Sequence, residues 1–346
     1  MRSNRELSIN TLRGLACLLL VAYHVVGSEA TNGLRISDGI YRDLNDVLMY
    51  LRMPLFTFLS GVVYAYRPFR EGVANFMQKK ARRLLLPMLT VGTAFALLQA
   101  ITPGTNSSIS NWLLLHIQPV AHFWFIESLF LVFVLIVVLE KLNAFSSSGR
   151  WAAVFIGSAA LYVSPLYSQY FSFSGFLYLL PYFLLGMGVQ RYDAFKKINS
   201  GLIAVAMCAT LAVLIFIYHQ WVPSFGKRAL PSLLLGVLAC LCLLSIGFKS
   251  TLLAKIGVFS YSIYLFHVFF TAVPRIVFGK FGIDLDVVFF TSLVAGIMGP
   301  IVLELVLARF NLTRVLLLGK APHRKPKVSD KPALLPLMPL RQANAR

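Results

Sequence analysis

"LRGLACLLLVAYH", residues 12–24, is the stretch that decides the fold of this chain. It is apolar enough to enter a lipid bilayer, yet it contains Arg13 near its start and His24 at its end. Because ionisable groups inside hydrocarbon are costly, they mark a functional position by default. A separation of eleven residues returns to within about 20° of the same helix face and spans about 16 Å along the axis. We therefore predict a membrane helix whose polar face carries a cation near one end and an imidazole deeper in the membrane.

The composition places the chain among multi-pass membrane proteins. Of its 346 residues, 58% are hydrophobic and 13% are charged, and the mean hydropathy is +0.75, which excludes an ordinary soluble domain. Apolar stretches near the length needed to cross hydrocarbon predict an all-α, polytopic membrane helix bundle with about ten transmembrane helices. They lie at residues 11–27, 47–66, 84–101, 122–140, 151–164, 174–190, 201–218, 230–247, 256–278 and 286–308. The first stretch could instead be a secretory signal, but an arginine and a histidine in its core argue against that interpretation.

Basic residues are distributed unevenly between alternate connecting segments. The formal net charge is +19, which in a soluble protein would suggest a nucleic-acid partner. Here the positive-inside rule accounts for the charge, so no nucleic acid is expected. With the amino terminus in the cytoplasm, the strongly basic segment 67–83 and the basic carboxyl-terminal tail both lie in the cytoplasm, while the opposite loops carry few cations. The predicted topology is N-in and C-in.

The chain divides into one membrane domain and a tail. We expect residues 1–310 to form the transmembrane domain and residues 311–346 to form a basic, proline-rich, disordered cytoplasmic tail that contacts anionic membrane lipid. The four cysteines all fall within apolar stretches, which favours a role as small hydrophobic residues over disulfides. Since the sequence has no zinc-ligand spacing, no metal site is expected.

Ionisable residues in the other helices form two layers. In the N-in topology, Arg52, His122, Glu127 and His267 lie in the outer half or near the middle of their helices, at depths close to that of His24. The cytoplasmic layer is basic, and it consists of Arg13, Lys79, Lys80, Arg82 and Arg83. The sequence therefore separates a basic layer from a deeper layer that is rich in histidine.

Four motifs, in order along the chain, resemble those of the acyltransferase 3 family of integral membrane O-acyltransferases. Arg13 and His24 resemble the arginine and histidine of that family's first helix. The stretch "MPLFTFLSG" (53–61) is similar to its second-helix motif. The stretches "KKARRLLLP" (79–87) and "SYSIYLFH" (260–267) resemble its basic third-helix start and a later element. The resemblance covers nearly the whole membrane domain.

The resemblance implies an enzyme of the bacterial inner membrane. The expected reaction moves an acyl group, expected to be acetyl, from cytoplasmic acyl-CoA to a hydroxyl group. The expected acceptor is an exopolysaccharide, a lipopolysaccharide or a lipid-linked sugar. Acetyl-CoA or another acyl-CoA would serve as the donor substrate, and no metal is implied.

The resemblance and the two layers together assign candidate roles. The donor phosphates need cations, and the candidates are Arg13, Lys79, Lys80, Arg82 and Arg83. The candidate catalytic residues are His24, Glu127 and His267. The candidates for acceptor binding are Arg52, His122 and Trp124. His24 would act either as the general base that takes the acceptor's proton or as a nucleophile that becomes acylated.

Two residues depart from the family pattern, and several have simpler interpretations. Arg52 stands where many relatives have a histidine, and Lys80 replaces an arginine and so lacks its two-pronged geometry. Arg13 and His24 could instead serve helix packing alone, with the arginine extended to the headgroups. His122 could be a solvated histidine at the interface, and Trp124 could belong to packing or to the aromatic belt.

Further polar residues are expected to have structural partners. Ser60, Tyr261 and Tyr264 are interpreted as donors of hydrogen bonds that pack helices rather than as catalysts, and Glu304 is expected to pair with Arg309. The alternative functions are a secondary transporter with an intramembrane Arg/His/Glu proton relay and an inactive scaffold for polysaccharide assembly.

Overall fold

The computed structural model describes residues 2–70, 72–102, 111–118, 120–192 and 199–323. Within these ranges the chain is helical and contains no strand, which confirms the all-α prediction. The α-helices, in chain order, are α1 (Arg2–Val26), α2 (Ile40–Val47), α3 (Met49–Tyr66), α4 (Val73–Ile101), α5 (Trp124–Lys141), α6 (Ser148–Val163), α7 (Phe173–Arg191), α8 (Ser200–Tyr218), α9 (Leu230–Ile246), α10 (Thr251–Val258), α11 (Ser260–Lys280), α12 (Leu285–Leu307) and α13 (Asn311–Leu316).

The long helices identify a multi-pass membrane protein. Each of the predicted apolar stretches contains a helix, and seven of the described helices are long and apolar enough to cross a bilayer. An eighth span is possible if α2 and α3, which are bent by 44° relative to each other, act together. Helices α6 and α9 have 16 and 17 residues and are therefore short for a full crossing. The count of ten and the orientation of the termini stay predictions.

Helices α3 and α7 cross where only glycine fits. A Cβ atom added to Gly61 would lie 2.0 Å from the carbonyl oxygen of Phe183, and one added to Gly186 would lie 2.0 Å from that of Phe58. Small residues at a crossing allow two backbones to approach closely, which is the main source of packing energy between membrane helices. This contact fixes α3, which carries Arg52 and part of the cavity wall described below.

A second close crossing holds α1 against α10. A Cβ atom on Gly14 would lie 2.0 Å from the carbonyl oxygen of Leu253. Near the same contact, the hydroxyl of Thr11 donates to the carbonyl oxygen of Ser250 at 3.2 Å. Because Arg13 lies between Thr11 and Gly14, this crossing fixes the position and orientation of Arg13 in the bundle.

The carboxyl-terminal segment folds back onto α4. Arg83 Nη1 donates to the carbonyl oxygen of Leu318 at 2.5 Å, and the hydroxyl of Thr90 donates to that of Leu316 at 2.8 Å. Gly319 adopts a left-handed φ of 60°, and a Cβ atom there would lie 2.4 Å from the carbonyl oxygen of Arg82. The return of the chain at this point therefore requires glycine.

Two expectations about this region are corrected. Residues 311–323, which were expected to belong to a disordered tail, include α13 and segments that hydrogen-bond to α4 and α12. The predicted disorder of 324–346 lies outside the described residues. Glu304 pairs with Lys320 rather than with Arg309, since the returning chain brings Lys320 beside it.

Candidate active site

Three histidines from separate parts of the chain meet inside the bundle. His24 lies in the last turn of α1, His122 in the turn before α5, and His267 near the middle of α11. The ring centre of His267 is 4.7 Å from that of His24 and 4.9 Å from that of His122. His24 and His122 are 5.7 Å apart. We call these three residues the histidine cluster.

Hydrogen bonds to backbone carbonyls fix the tautomers of two of these rings. His267 Nδ1 lies 2.9 Å from the carbonyl oxygens of both Ile263 and Tyr264. Since a carbonyl oxygen can only accept, Nδ1 carries the proton and Nε2 is left with its lone pair. Nε2 is buried without a hydrogen-bond partner. The ring of His267 therefore presents an unoccupied acceptor to the interior of the bundle.

His122 is held in the opposite tautomer. Its Nε2 lies 3.4 Å from the carbonyl oxygen of Leu265, so Nε2 is the protonated nitrogen, and its Nδ1 is buried without a partner. The backbone around it is also constrained, because Ala121 adopts a left-handed φ of 49° and the hydroxyl of Tyr264 donates to the carbonyl oxygen of His122. Buried unsatisfied nitrogens are rare in proteins, and two of them at one cluster mark it as a candidate site.

A cavity of about 400 Å³ lies in the half of the bundle where α1 begins. Its polar lining residues are Arg13, Ser60, Tyr64, Arg67, Lys80, Arg83, Ser260, Tyr261 and Tyr264, and the rest of its wall is apolar. We call it the basic cavity. Its volume lies within the range of small-molecule binding pockets.

The cations of the basic cavity are held by aromatic rings and neutral groups. Lys80 Nζ lies 3.7 Å from the ring centre of Phe133, and the Arg83 guanidinium lies 3.9 Å from that of Tyr261. Arg13 Nη1 donates to the side-chain oxygen of Asn10 at 3.4 Å. In the part of the chain that the structure describes, the ion pairs of Asp and Glu involve other cations. These three positive charges are thus available to an anion.

The five cations predicted to bind the donor divide into two sets. Arg13, Lys80 and Arg83 line the basic cavity, whereas Lys79 and Arg82 do not. Lys79 is exposed. Neighbouring residues on a helix point about 100° apart, so a run of cations cannot all face one cavity. Sequence reasoning missed Arg67, which also lines the cavity and follows directly after α3.

Aromatic side chains separate the basic cavity from the histidine cluster. Phe56, Phe125 and Tyr264 line the cavity, and the ring of Tyr264 also packs 5.4 Å from that of His122. The hydroxyl groups of Tyr264 and Tyr261 donate to the carbonyl oxygens of His122 and Arg83, respectively, which confirms their predicted role between helices. The hydroxyl of Ser60 donates instead to the carbonyl oxygen of Phe56 within its own helix. Tyr264 therefore belongs to both regions.

Glu127 and Trp124 lie on the side of α5 that faces α7. Glu127 is buried and accepts a hydrogen bond from the hydroxyl of Ser172 at 2.6 Å, while Ser128 donates to the carbonyl oxygen of Ser172. Ser172 has a left-handed φ of 49°. The described contacts of Glu127 therefore support the turn before α7 rather than the histidine cluster. Trp124 packs against Tyr178 at 6.4 Å between ring centres.

Arg52 is buried next to the end of α1. Its guanidinium donates to the side-chain and backbone oxygens of Asn45 at 2.9 and 2.5 Å, and it lies 4.1 Å from the ring centre of Tyr23. Asn45 in turn donates to the carbonyl oxygen of Gly27 at 3.1 Å. Arg52 thus helps to fix the backbone that carries His24.

Sequence reasoning assigned no role to Lys227, which the structure places near Trp124. Its Nζ lies 5.4 Å from the ring centre of Trp124. The side chain is exposed. Desolvation by the protein around it, together with the nearby charge of Arg52, lowers the pKa of Lys227. No sequence signal marks this lysine, because it lies in a connection between helices.

Comparisons with known proteins agree with the resemblance of the motifs. The model of a family described as an acyltransferase domain matches residues 6–309. The nodulation protein NolL of Mesorhizobium japonicum is 28% identical over 186 residues, which cover 52% of this chain and 49% of that protein. The alignment thus spans about half the length of that relative. No solved structure matches the chain.

Proposed function

This chain belongs to the acyltransferase family whose model it matches, and from that premise we propose that it acylates a bacterial cell-surface glycan. The enzyme is a membrane O-acyltransferase that transfers groups other than aminoacyl groups. In the proposed reaction, acyl-CoA from the cytoplasm, expected to be acetyl-CoA, is the donor. An exopolysaccharide, a lipopolysaccharide or a lipid-linked sugar is the acceptor, and the protein resides in the inner membrane.

The observation that carries the proposal is the meeting of His24, His122 and His267 beyond the aromatic end of the basic cavity. A cavity with three unpaired cations at its wall suits the phosphates of coenzyme A, since charge-assisted hydrogen bonds to phosphate are strong. The apolar remainder of the wall suits the thin pantetheine arm. Rotation of one ring among Phe56, Phe125 and Tyr264 would bring the thioester to the histidine cluster.

The cluster supplies the groups that acyl transfer needs. His24 takes the proton of the acceptor hydroxyl as its oxygen attacks the thioester carbonyl carbon, which forms the new C–O bond. When the tetrahedral intermediate collapses, the C–S bond breaks and the departing thiolate takes the proton from the imidazolium. The alternative route first transfers the acyl group to His24 and then to the acceptor. In either route the open Nε2 of His267 can accept a hydrogen bond from the reacting groups.

A transporter is not supported as a second function. The proposed proton relay of Arg, His and Glu needs Glu127 beside the histidines, but its carboxylate accepts from Ser172. Membership of an acyltransferase family also favours the enzyme.

The function is tested with the full-length protein purified in detergent. Labelled acetyl-CoA is incubated with surface glycan from cells that lack the protein, and transfer of label is measured by mass spectrometry. We expect transfer by the wild-type protein and loss of transfer in His24→Ala. His219→Ala is the matched control, because His219 is an exposed histidine that stacks on Trp221 away from the cluster. Transfer by His24→Ala at the wild-type rate would contradict the proposed role of His24.

The proposed orientation has its own test. A cytoplasmic donor requires the basic cavity to open towards the cytoplasm, which agrees with the N-in and C-in prediction. Topology reporters fused after Lys197 and at the carboxyl terminus should both report the cytoplasm, and a fusion within residues 102–121 should report the opposite side. A tail reported outside would contradict the orientation.

A further inference from the structure

Two cations approach the histidine cluster from the side opposite the basic cavity, and a third lies beside Trp124. Arg275 Nη1 lies 3.3 Å from the carbonyl oxygen of His24, and the guanidinium of Arg52 lies against Tyr23, the neighbour of His24. Lys227 Nζ lies 5.4 Å from the ring centre of Trp124, which follows His122 by two residues, and its charge also interacts with that of Arg52. The acceptor side of the cluster is therefore positively charged.

The partners of these cations are neutral. Arg52 donates to Asn45, and Arg275 donates to the carbonyl oxygens of Thr271 and His24. Lys227 Nζ lies over the aromatic rings of Trp124 and Tyr178, at 5.4 and 5.7 Å from their centres. Arg52 is buried, and a buried charge whose described hydrogen-bond partners are neutral is costly, so it points to a ligand that supplies the negative charge.

Three carboxylates that the structure describes nearby have their closest polar contacts with residues other than Arg52, Arg275 and Lys227. Asp46 lies 3.8 Å from Arg42 and is mostly exposed. Asp286 accepts from the hydroxyl of Tyr41 at 2.6 Å. Glu127 accepts from Ser172.

From this imbalance we propose that the acceptor carries an acidic group, which Lys227 and Arg52 bind while a sugar hydroxyl faces His24. The inference rests on the proposed function and adds the chemical class of its acceptor. A carboxylate of a uronic acid and a phosphate that links a sugar to a lipid carrier share this chemistry. Arg52 presents a planar fork that matches either anion, and Lys227, which solvent can reach, adds a point charge at the open side.

The test measures equilibrium binding to the full-length purified protein without turnover. The carboxylate arm compares an oligoglucuronate with its carboxyl-reduced, neutral counterpart. The phosphate arm compares glucosyl diphosphofarnesol with farnesyl glucoside. We expect one acidic probe or both to bind about tenfold or more tightly than the neutral counterpart. The arm that shows the preference identifies the source of the anion.

Substitution of Lys227 assigns the preference to this surface. Lys227→Gln should reduce it severalfold, while Lys227→Arg should retain most of it. Lys280→Gln, which removes an exposed cation at the end of α11, is the matched control and should change nothing. Equal binding of acidic and neutral probes, absence of binding to either acidic probe, or an unchanged preference in Lys227→Gln would overturn the inference. Because donor turnover is not measured, these outcomes are separate from failure of acyl transfer itself.

Discussion

The basic cavity and the histidine cluster are both polar sites inside an apolar bundle, yet they are built in opposite ways. The cavity is open, and its cations rest on aromatic rings and on oxygens while facing empty volume. The cluster is compact, and its rings pack within 6 Å of one another, with His122 and His267 buried and one nitrogen of each unsatisfied. In the proposed function, the cavity is a preformed binding region, and the cluster is a reaction centre whose hydrogen bonds the substrates complete. Binding and chemistry should therefore respond to different substitutions.

Substitution of His24 should give the largest difference between the effect on transfer rate and the effect on donor affinity. His24→Ala removes the proposed general base, so the transfer rate should fall by about 10² to 10⁴. The affinity for acyl-CoA should change little, since the cavity wall does not include His24. Rate and donor affinity are measured on monodisperse protein, with His219→Ala as the control. A parallel loss of donor affinity would show that the two regions are not separable.

Substitutions in the wall of the basic cavity should have the opposite effect, lowering donor affinity while leaving the transfer rate nearly unchanged. Lys80→Ala and Arg83→Ala each remove charge-assisted contacts of about 1.5–3 kcal/mol, which is a factor of roughly 10 to 150 in the Kd of acyl-CoA. The rate at saturating donor should stay near that of the wild type. Lys79→Ala is the matched control because Lys79 is an exposed member of the same run outside the cavity wall. If Lys79→Ala weakens donor binding as much as Lys80→Ala, the cavity is not the donor site.

A smaller effect on donor affinity is expected for substitutions of Arg13. Arg13→Lys keeps the charge but loses the planar fork, so donor affinity should fall by less than in Arg13→Ala. Both variants are titrated with acyl-CoA, and their thermal stabilities are compared. Low stability together with normal donor affinity would assign Arg13 to helix packing, the simpler interpretation of the polar face.

The smallest effect is expected where the two regions touch. Tyr264→Phe keeps the ring that closes the cavity but removes the hydroxyl that donates to the carbonyl oxygen of His122. A neutral hydrogen bond contributes about 0.5–1.5 kcal/mol, so the rate should fall by roughly twofold to tenfold. Donor affinity should remain unchanged. A change in Kd with an unchanged rate would place Tyr264 functionally with the cavity alone.

The sequence predicts what depends on helix geometry. The spacing of Arg13 and His24 along one helix face, the all-α fold and the apolar stretches follow from periodicity and hydropathy. Ionisable residues within the apolar stretches also named all three members of the histidine cluster, and two of them, His24 and His267, lie in the motifs that resemble the family. Their approach could not be derived from local pattern, because it depends on how three distant elements pack.

Other features depend on contacts that a linear pattern does not encode. The helical run at 79–83 predicts several inward-facing cations, but only tertiary packing decides that Lys80 faces the cavity and Lys79 faces outward. The position of Lys227 near Trp124 could not be predicted, because no local pattern distinguishes it from other lysines in connections between helices. The partner of Glu127 was also hidden, since Ser172 is 45 residues away in the chain.

The return of the chain at Gly319 has a practical consequence for handling the protein. The carbonyl oxygen of Leu318 holds Arg83, and Lys320 ties the same segment to α12 through Glu304. Truncation at residue 317 would therefore release Arg83, a residue of the proposed donor site, even though it removes no membrane helix that the structure describes. Affinity tags and deletion boundaries are better placed beyond residue 323, where these two attachments are left intact.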